Sequence, residues 1–392
     1  MVENTHHKFI RGANFPRITP KPDSEPAAIE YRTLALLVLL ILTSLFFQSL
    51  QAAEVFINKM PGHLVSVGTH KLHIYCIGTG SPTVVIDSGL GGFSLEWKNI
   101  QKQMSEKMQV CTYDRAGYGW SQAGPEPRTT QQIVKELHEL LINADVSGPY
   151  LLVGHSFGGY NIRYFASLYP ELVAGLVMID ASHPDQFDRL PKPVIKTEHK
   201  PVKSSTIRIT MPVIPANYPE DAKQQAFVLM ANNRAVHTFD QEWENFRTSA
   251  QQVNAMNHLP DVPLTVVTRG KRVWPHNAFG DESEKVWSEM QDELAGLTSQ
   301  SAHILAGKSG HLVHLDEPDL VITAIMKTAE TAYVNEEIRL AALQEKRKLI
   351  DKTMLLVSIT HLYPTNNKYV NPLYGIYSRT DDIYRASFLM PY

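Results

Sequence analysis

A serine with a glycine two positions away on each side is the strongest chemical signal in the chain. The pentapeptide Gly154-His155-Ser156-Phe157-Gly158 fits the pattern G-x-S-x-G, and it lies between an apolar run at 150–153 and a predicted helix. A strand-to-helix turn of this kind is so tight that flanking side chains would collide, and the serine hydroxyl stands exposed at the carboxyl edge of a sheet. The pattern favours a nucleophilic serine, Ser156, over a plain glycine-rich turn.

The segments around this serine alternate between strand-like and helix-like patterns. Thr129 and Gln132 fit a capping box at the start of one predicted helix, and further helices are predicted at 158–169 and 320–349. Apolar runs predict strands at 63–67, 71–77, 82–87, 109–114, 150–154, 173–180, 263–268 and 301–305. This alternation predicts an α/β fold with mainly parallel strand pairing and helices on both faces of the sheet.

Several stretches resemble the α/β-hydrolase superfamily, in its branch of serine hydrolases with a helical cap. The similar stretches are DSGLGG at 87–92, YDRAGYGWS at 113–121 and VGHSFGG at 153–159, followed by Ser309-Gly310-His311 near the end. The resemblance covers about 61–330 and implies a hydrolase domain at 61–332, with a mostly parallel eight-stranded sheet and a cap at about 183–260. Dehalogenases and epoxide hydrolases of this fold attack with Asp, so a serine nucleophile implies acyl transfer instead.

The same resemblance assigns a base and an acid to the serine. His311 matches the base of the family, and His314 is its competitor. Many members carry the acid just after the penultimate strand, but here no carboxylate follows the run 263–268 before Asp281. Other members carry it at the end of the strand after the nucleophile helix, where this chain has Asp180. We therefore expect Asp180 to orient His311, with Asp281 as the alternative.

The resemblance also implies the groups that would stabilise an oxyanion. These are the backbone amides of Phe157, at the start of a helix, and of Leu90, in the loop after the run 82–87. The loop 113–121 is expected to brace the site. Cys76 and Cys111 fall on strands that are neighbours in this fold, so the resemblance permits either a disulfide or two buried thiols.

Composition excludes several other classes of function. A net charge of −3 over 392 residues gives no electrostatic case for binding nucleic acid. Two cysteines exclude a disulfide scaffold and a four-cysteine metal site. No phosphate-binding loop or metal-spaced cluster of His and Cys occurs in the sequence, and acyl transfer requires no cofactor, so we expect neither a metal nor an organic cofactor.

The N-terminal region contains an uncharged stretch that bears on cellular location. Residues 33–53 carry no charged side chain and follow a polar segment, 1–32. Twenty-one helical residues reach about 30 Å, which matches the hydrocarbon thickness of a bilayer. We expect a single transmembrane signal-anchor, while a cleaved signal peptide and a buried core helix are the alternatives. The excess of Lys and Arg before the stretch predicts a cytoplasmic N-terminus and an extracytoplasmic catalytic domain.

Three functional hypotheses follow from these patterns. The leading one is a membrane-anchored serine hydrolase that cleaves carboxylic esters, including esters derived from lipids. The second is an aminopeptidase-like amidase with the same triad, which would need carboxylates in the cap to hold a substrate amine. The third is a non-catalytic receptor or scaffold on a hydrolase fold. The C-terminal extension, 333–392, receives no function from the sequence.

The predicted orientation can be tested with protease added outside intact cells or sealed vesicles. We expect digestion of the large domain, because the basic residues before 33–53 should keep only the N-terminal segment in the cytoplasm. Immunoblotting with an antibody against the catalytic domain measures the digestion. Complete protection of that domain, with digestion only after detergent is added, would contradict the orientation.

Overall fold

The structure is a computed structural model that describes residues 35–44, 60–192, 212–256 and 258–362, with side chains to position 354. The chain divides into two compact units, Met1–Pro61 and Gly62–Tyr392. In the first unit, residues 35–44 form helix α1. The rest of the predicted transmembrane segment 33–53 lies outside the described residues, as does the polar segment 1–32. None of the helices in the described ranges has both the length and the apolar character needed to cross a membrane.

The second unit is built on one eight-stranded sheet, which confirms the predicted α/β-hydrolase architecture. The strand order is β1-β2-β4-β3-β5-β6-β7-β8, and only the β1–β2 and β2–β4 pairs are antiparallel. The strands are β1 His63–Ser66, β2 Lys71–Ile77, β3 Thr83–Asp87, β4 Val110–Tyr113, β5 Tyr150–His155, β6 Val173–Ile179, β7 Leu264–Arg269 and β8 Ser301–Ala306. The central parallel strands β3, β5 and β6 are almost entirely buried, as their continuous apolar runs require.

Helices cover both faces of this sheet. On one face lie α3 (Thr130–Asn143) and α4 (Gly158–Leu168), and on the other lie α2 (Lys98–Met104) and the long α11 (Pro318–Leu362). The predicted cap of α3 is present, because the Thr129 side chain accepts a hydrogen bond from the Gln132 N–H at 3.4 Å. The other α-helices in the described part of this unit are α5 (Gln186–Arg189), α6 (Lys223–Met230), α7 (Asn233–Glu244), α8 (Phe246–Asn254), α9 (Ala278–Ala295) and α10 (Val313–Asp316).

The cap segment departs from the helices that its sequence pattern predicts, at 220–232 and 238–256. In place of the second helix the structure forms α7, which already begins at Asn233, and α8, and the break between them lies at Asn245. Asn245 leaves the helical conformation at φ −94° and ψ 7°, and its side-chain amide donates to the Gln241 carbonyl. Asn competes with the helix in this way because its short side chain can satisfy nearby backbone groups. Residues 193–211, also in the predicted cap, lie outside the described residues.

Two further features concern the edges of the fold. Cys76 on β2 and Cys111 on β4 are register partners and form a disulfide, which is one of the two alternatives that the sequence left open.

Helix α11 begins with buried residues such as Val321 and Ile325 and continues to Leu362, beyond residue 349, where its sequence pattern predicts its end. The last part of the C-terminal extension, 363–392, lies outside the described residues.

Candidate active site

Ser156 occupies a sharp turn between β5 and α4. Its backbone has a φ of 50°, in the left-handed region that side chains rarely adopt. The glycines on either side are sterically required: a Cβ at Gly154 would lie 2.6 Å from the Gly158 carbonyl oxygen, and one at Gly158 would lie 2.3 Å from the Asp87 carbonyl oxygen. The turn therefore holds the serine hydroxyl at the carboxyl edge of the sheet.

The structure brings Ser156, His311 and Asp180 together in one chain of hydrogen bonds. The Nε2 atom of His311 lies 2.9 Å from Ser156 Oγ, and its Nδ1 atom lies 2.5 Å from Asp180 Oδ2. Because an ionised carboxylate only accepts hydrogen bonds, Nδ1 carries the proton and Nε2 is left to accept from the serine hydroxyl. Asp180 directly follows β6, and His311 lies on the loop after β8.

Asp180 is fully buried and is held as a carboxylate by three neighbouring groups. Arg269 Nη1 lies 2.9 Å from its Oδ2 atom, and Trp287 donates to its Oδ1 atom at 2.8 Å. Burial raises the pKa of Asp180, but the Arg269 charge and the bonds from His311 and Trp287 outweigh it and lower the pKa well below the usual range. Asp180 can thus stay ionised while it orients His311.

His311 is the most exposed of the three groups. Its side chain is 23% exposed, while the Asp180 side chain is inaccessible. Removal of the ring from solvent lowers the pKa of His311 below its ordinary value, although the Asp180 carboxylate acts in the opposite direction. The lowered pKa favours the neutral imidazole, which is the form that can accept a proton from the serine hydroxyl.

The two alternative residues lie elsewhere. Asp281 is on α9, with a 65% exposed side chain, and forms an ion pair with Arg272 at 2.6 Å. His314 is buried on α10, where its ring stacks on Trp97 with the centroids 4.2 Å apart. The geometry does not bring either residue into the hydrogen-bonded chain at Ser156.

The two predicted oxyanion donors flank the serine. Phe157 is the N-cap residue of α4, and its N–H belongs to the peptide bond that joins it to Ser156. Leu90 follows Gly89, where a Cβ would lie 3.3 Å from Ser156 Cβ. Neither N–H donates a hydrogen bond to any residue in the described part of the chain.

Sequence reasoning missed Arg269 and Trp287, which hold the acid. Arg269 ends β7, the strand after which many members of the family carry the acid itself, and its Nη2 also contacts Glu284 at 3.2 Å. Arg269 is a cation at the position where the common family pattern has a carboxylate. This was the available signal that the acid lies after a neighbouring strand. Trp287 lies on α9 and left no such signal. In the described ranges no group of three or more His, Cys, Asp or Glu side chains is placed to hold a metal ion.

Comparisons with known proteins agree with this architecture. A family model described as the alpha/beta hydrolase fold matches residues 82–318. The uncharacterized protein YqjL of Bacillus subtilis (strain 168) is 29% identical over 251 residues, which cover 63% of this chain and 83% of YqjL.

Two solved structures share the fold at low sequence identity. A Vigna radiata epoxide hydrolase mutant has a TM-score of 0.53 at 15% identity, covering 70% of this chain and 99% of its own. A structure described as a putative lipase from Acinetobacter baumannii has a TM-score of 0.51 at 18% identity, covering 74% and 97%. At sequence identities this low, the comparison supports a shared fold and nothing about activity.

The role of the acid can be tested with Asp180→Asn. Asn tolerates the left-handed conformation that Asp180 adopts at φ 39°, so the backbone should keep its shape. We expect kcat to fall by about 10³–10⁴-fold, because the neutral amide no longer fixes the working tautomer of His311. Steady-state kinetics measure the loss, with Asp281→Asn as the matched control at wild-type activity. Wild-type turnover of Asp180→Asn would exclude Asp180 as the acid.

The direction of the His311 shift predicts the pH dependence. Its pKa is lowered, so the base stays neutral to lower pH and activity should persist as the pH falls below the ordinary histidine value of about 6.5. The profile of kcat/KM against pH should show an acid limb with a midpoint below about 6.5. Circular dichroism over the same range separates titration from unfolding. An acid limb centred above that value would contradict the assignment.

Proposed function

This chain belongs to the alpha/beta-hydrolase family, and we propose that it is a serine hydrolase that cleaves carboxylic esters through an acyl-enzyme on Ser156. The observation that carries the proposal is the continuous hydrogen-bonded chain from Ser156 Oγ through His311 to Asp180. A serine hydroxyl is a weak nucleophile by itself, and a positioned base that removes its proton activates it.

The geometry supports the following sequence of steps. Ser156 Oγ attacks the ester carbonyl carbon while His311 Nε2 takes the hydroxyl proton. The negative charge that forms on the carbonyl oxygen is stabilised by the N–H groups of Leu90 and Phe157. His311 then gives its proton to the departing alcohol oxygen, and the acyl group remains on Ser156. Water then attacks the acyl carbon while His311 takes one of its protons. His311 returns that proton to Ser156 Oγ as the bond between the acyl carbon and Oγ breaks, which releases the carboxylic acid and restores the serine.

The cap favours an ester over a substrate with a free amine. An amine-binding cap needs an unpaired carboxylate, but the buried Glu242 forms an ion pair with Arg115 at 2.9 Å. Asp221 contacts Lys98, Glu220 contacts Lys223, and Glu244 accepts a hydrogen bond from Gln241. Asp240 is exposed. None of these five cap carboxylates, each of which could otherwise hold a substrate amine, is both buried and unpaired.

The surroundings of the oxyanion loop support an apolar acyl group. A Cβ at Gly91 would lie 3.1 Å from the ring of Phe239, which therefore lies over this loop. Cap residues such as Tyr218, Ala226 and Leu229 pack with Phe93 in one apolar cluster. Lipid-derived esters thus fit the proposal.

Anchoring to a membrane through 33–53, with the catalytic domain outside the cytoplasm, is part of the same proposal. The disulfide between Cys76 and Cys111 supports this location because disulfides persist in oxidising compartments.

A serine-directed probe and a substrate panel test the function together. Fluorophosphonate should label the purified protein, and Ser156→Ala should abolish the labelling, while Ser167→Ala on the following helix, α4, should not. A panel of p-nitrophenyl esters with different chain lengths should be hydrolysed, and aminoacyl anilides should not. Labelling without turnover of any ester would favour a different acyl substrate, and absence of labelling would favour the non-catalytic alternative.

A further inference from the structure

Arg115 lies beneath the cap with all five of its N–H donors engaged. Its Nε and Nη2 atoms donate to the two carboxylate oxygens of Glu242 at 2.9 and 3.0 Å. Its Nη1 atom donates to Asp87 Oδ1 at 3.0 Å and to the Ser88 carbonyl at 2.6 Å, and Nη2 also donates to the Gly89 carbonyl at 2.8 Å. An arginine side chain has no further donor to offer.

These contacts join two parts of the fold that are distant in sequence. Glu242 belongs to cap helix α7, whereas Asp87, Ser88 and Gly89 lead from β3 into the loop that carries Leu90. The side chains of Arg115 and Glu242 are 2% and 0% exposed. Because a charge buried without its partner is strongly destabilising, the docked cap and the loop are energetically linked through this one guanidinium.

The planarity of the peptide bond turns this link into an effect on Leu90. In the trans peptide that joins Gly89 to Leu90, the C=O and N–H bonds point in opposite directions. Arg115 Nη2 and the Gly92 N–H, the latter at 3.0 Å, both donate to the Gly89 carbonyl and fix its direction. The Leu90 N–H therefore points the opposite way, away from the guanidinium. Gly89 lies against Ser156, so the peptide that Arg115 orients is the one beside the nucleophile.

We propose that Arg115 and Glu242 are positioning residues that aim the Leu90 N–H at the forming oxyanion, so that the oxyanion hole is complete only while the cap is docked. The proposal rests on the proposed function of Ser156. Two more contacts from α7 support it: Phe239 lies against Gly91 of the same loop, and the Tyr118 hydroxyl donates to Glu242 at 2.9 Å. An α7 helix displaced with the cap would remove the Glu242 carboxylate and leave Arg115 with Asp87 as its one remaining carboxylate partner among the described residues.

The test compares Arg115→Lys and Glu242→Gln with Glu244→Gln, an exposed position two residues further along the same helix. Lysine keeps the charge but cannot reproduce the planar fork, so we expect kcat on the best p-nitrophenyl ester to fall by about 10²-fold, as for loss of one oxyanion donor. KM should change by less than about threefold, because the oxyanion exists only in the transition state. Glu242→Gln should lose about tenfold, and Glu244→Gln should match wild type.

Two readouts separate positioning from general damage to the fold. Active-site titration with fluorophosphonate corrects kcat for the folded fraction. A trifluoromethyl ketone with the same acyl chain should lose affinity in proportion to kcat, while the acid limb of the pH profile should not move, because His311 keeps its partners. If the wild-type enzyme is active and both Arg115→Lys and Glu242→Gln keep its kcat, the positioning role of Arg115 and Glu242 is overturned, and the proposed function of Ser156 is not. Inactivity of the wild type on all esters would overturn the proposed function instead.

If Arg115→Lys does not fold, Glu242→Gln and Tyr118→Phe decide the question. Tyr118→Phe removes the hydroxyl that bonds both Glu242 and the backbone of Gly91, and we expect a loss of kcat smaller than that of Glu242→Gln, with unchanged KM. Equal effects on kcat and KM in these variants, or a shifted acid limb, would indicate a general disturbance of the site and would contradict a specific effect on the oxyanion hole.

Discussion

A carboxylate that is removed from water keeps its charge only where other groups replace its hydration, and the arrangement around Ser156 depends on meeting this condition at Asp180. Arg269, Trp287 and His311 surround the carboxylate, and each belongs to a different element of the fold. Strand β7, helix α9 and the loop after β8 must therefore be correctly placed before the imidazole can be. The chemistry at the serine is thus a property of the assembled sheet more than of a local motif.

The backbone around the site is fixed by the same strand ends. Ser156 and Asp180 both adopt left-handed conformations, one after β5 and the other after the adjacent β6. The Ser156 N–H donates to the Ile179 carbonyl at 3.1 Å, and the Ser182 N–H donates to the Ser156 carbonyl at 3.0 Å. Such conformations cost energy and persist where surrounding bonds over-determine them. The two turns hold each other in place, so Ser156 and Asp180 keep a constant separation.

The sequence predicts much of the fold because its strands are long apolar runs and its nucleophile turn has a local glycine signature. It also leads to Ser156, His311 and Asp180, although local spacing alone does not distinguish Asp180 from Asp281 or His311 from His314. The groups that sequence reasoning missed act across the fold. Arg269 reaches Asp180 from a neighbouring strand, and Glu242 reaches Arg115 from 127 positions away. Pairings of this kind depend on which strands are adjacent and on how the cap is docked, and neither can be read from a periodic pattern.

The five-fold use of Arg115 also bears on how this scaffold can be re-engineered. Caps of hydrolases are attractive modules for exchange, because they are single insertions between two strands of a conserved sheet. Here the inserted segment supplies a carboxylate that completes a buried charge pair of the sheet domain. A transplanted cap without an acidic side chain at the place of Glu242 would remove one of the two carboxylate partners of Arg115 and leave its Nε donor without an acceptor. A redesign that exchanges the cap must therefore exchange the residues from Asp87 to Leu90 together with it.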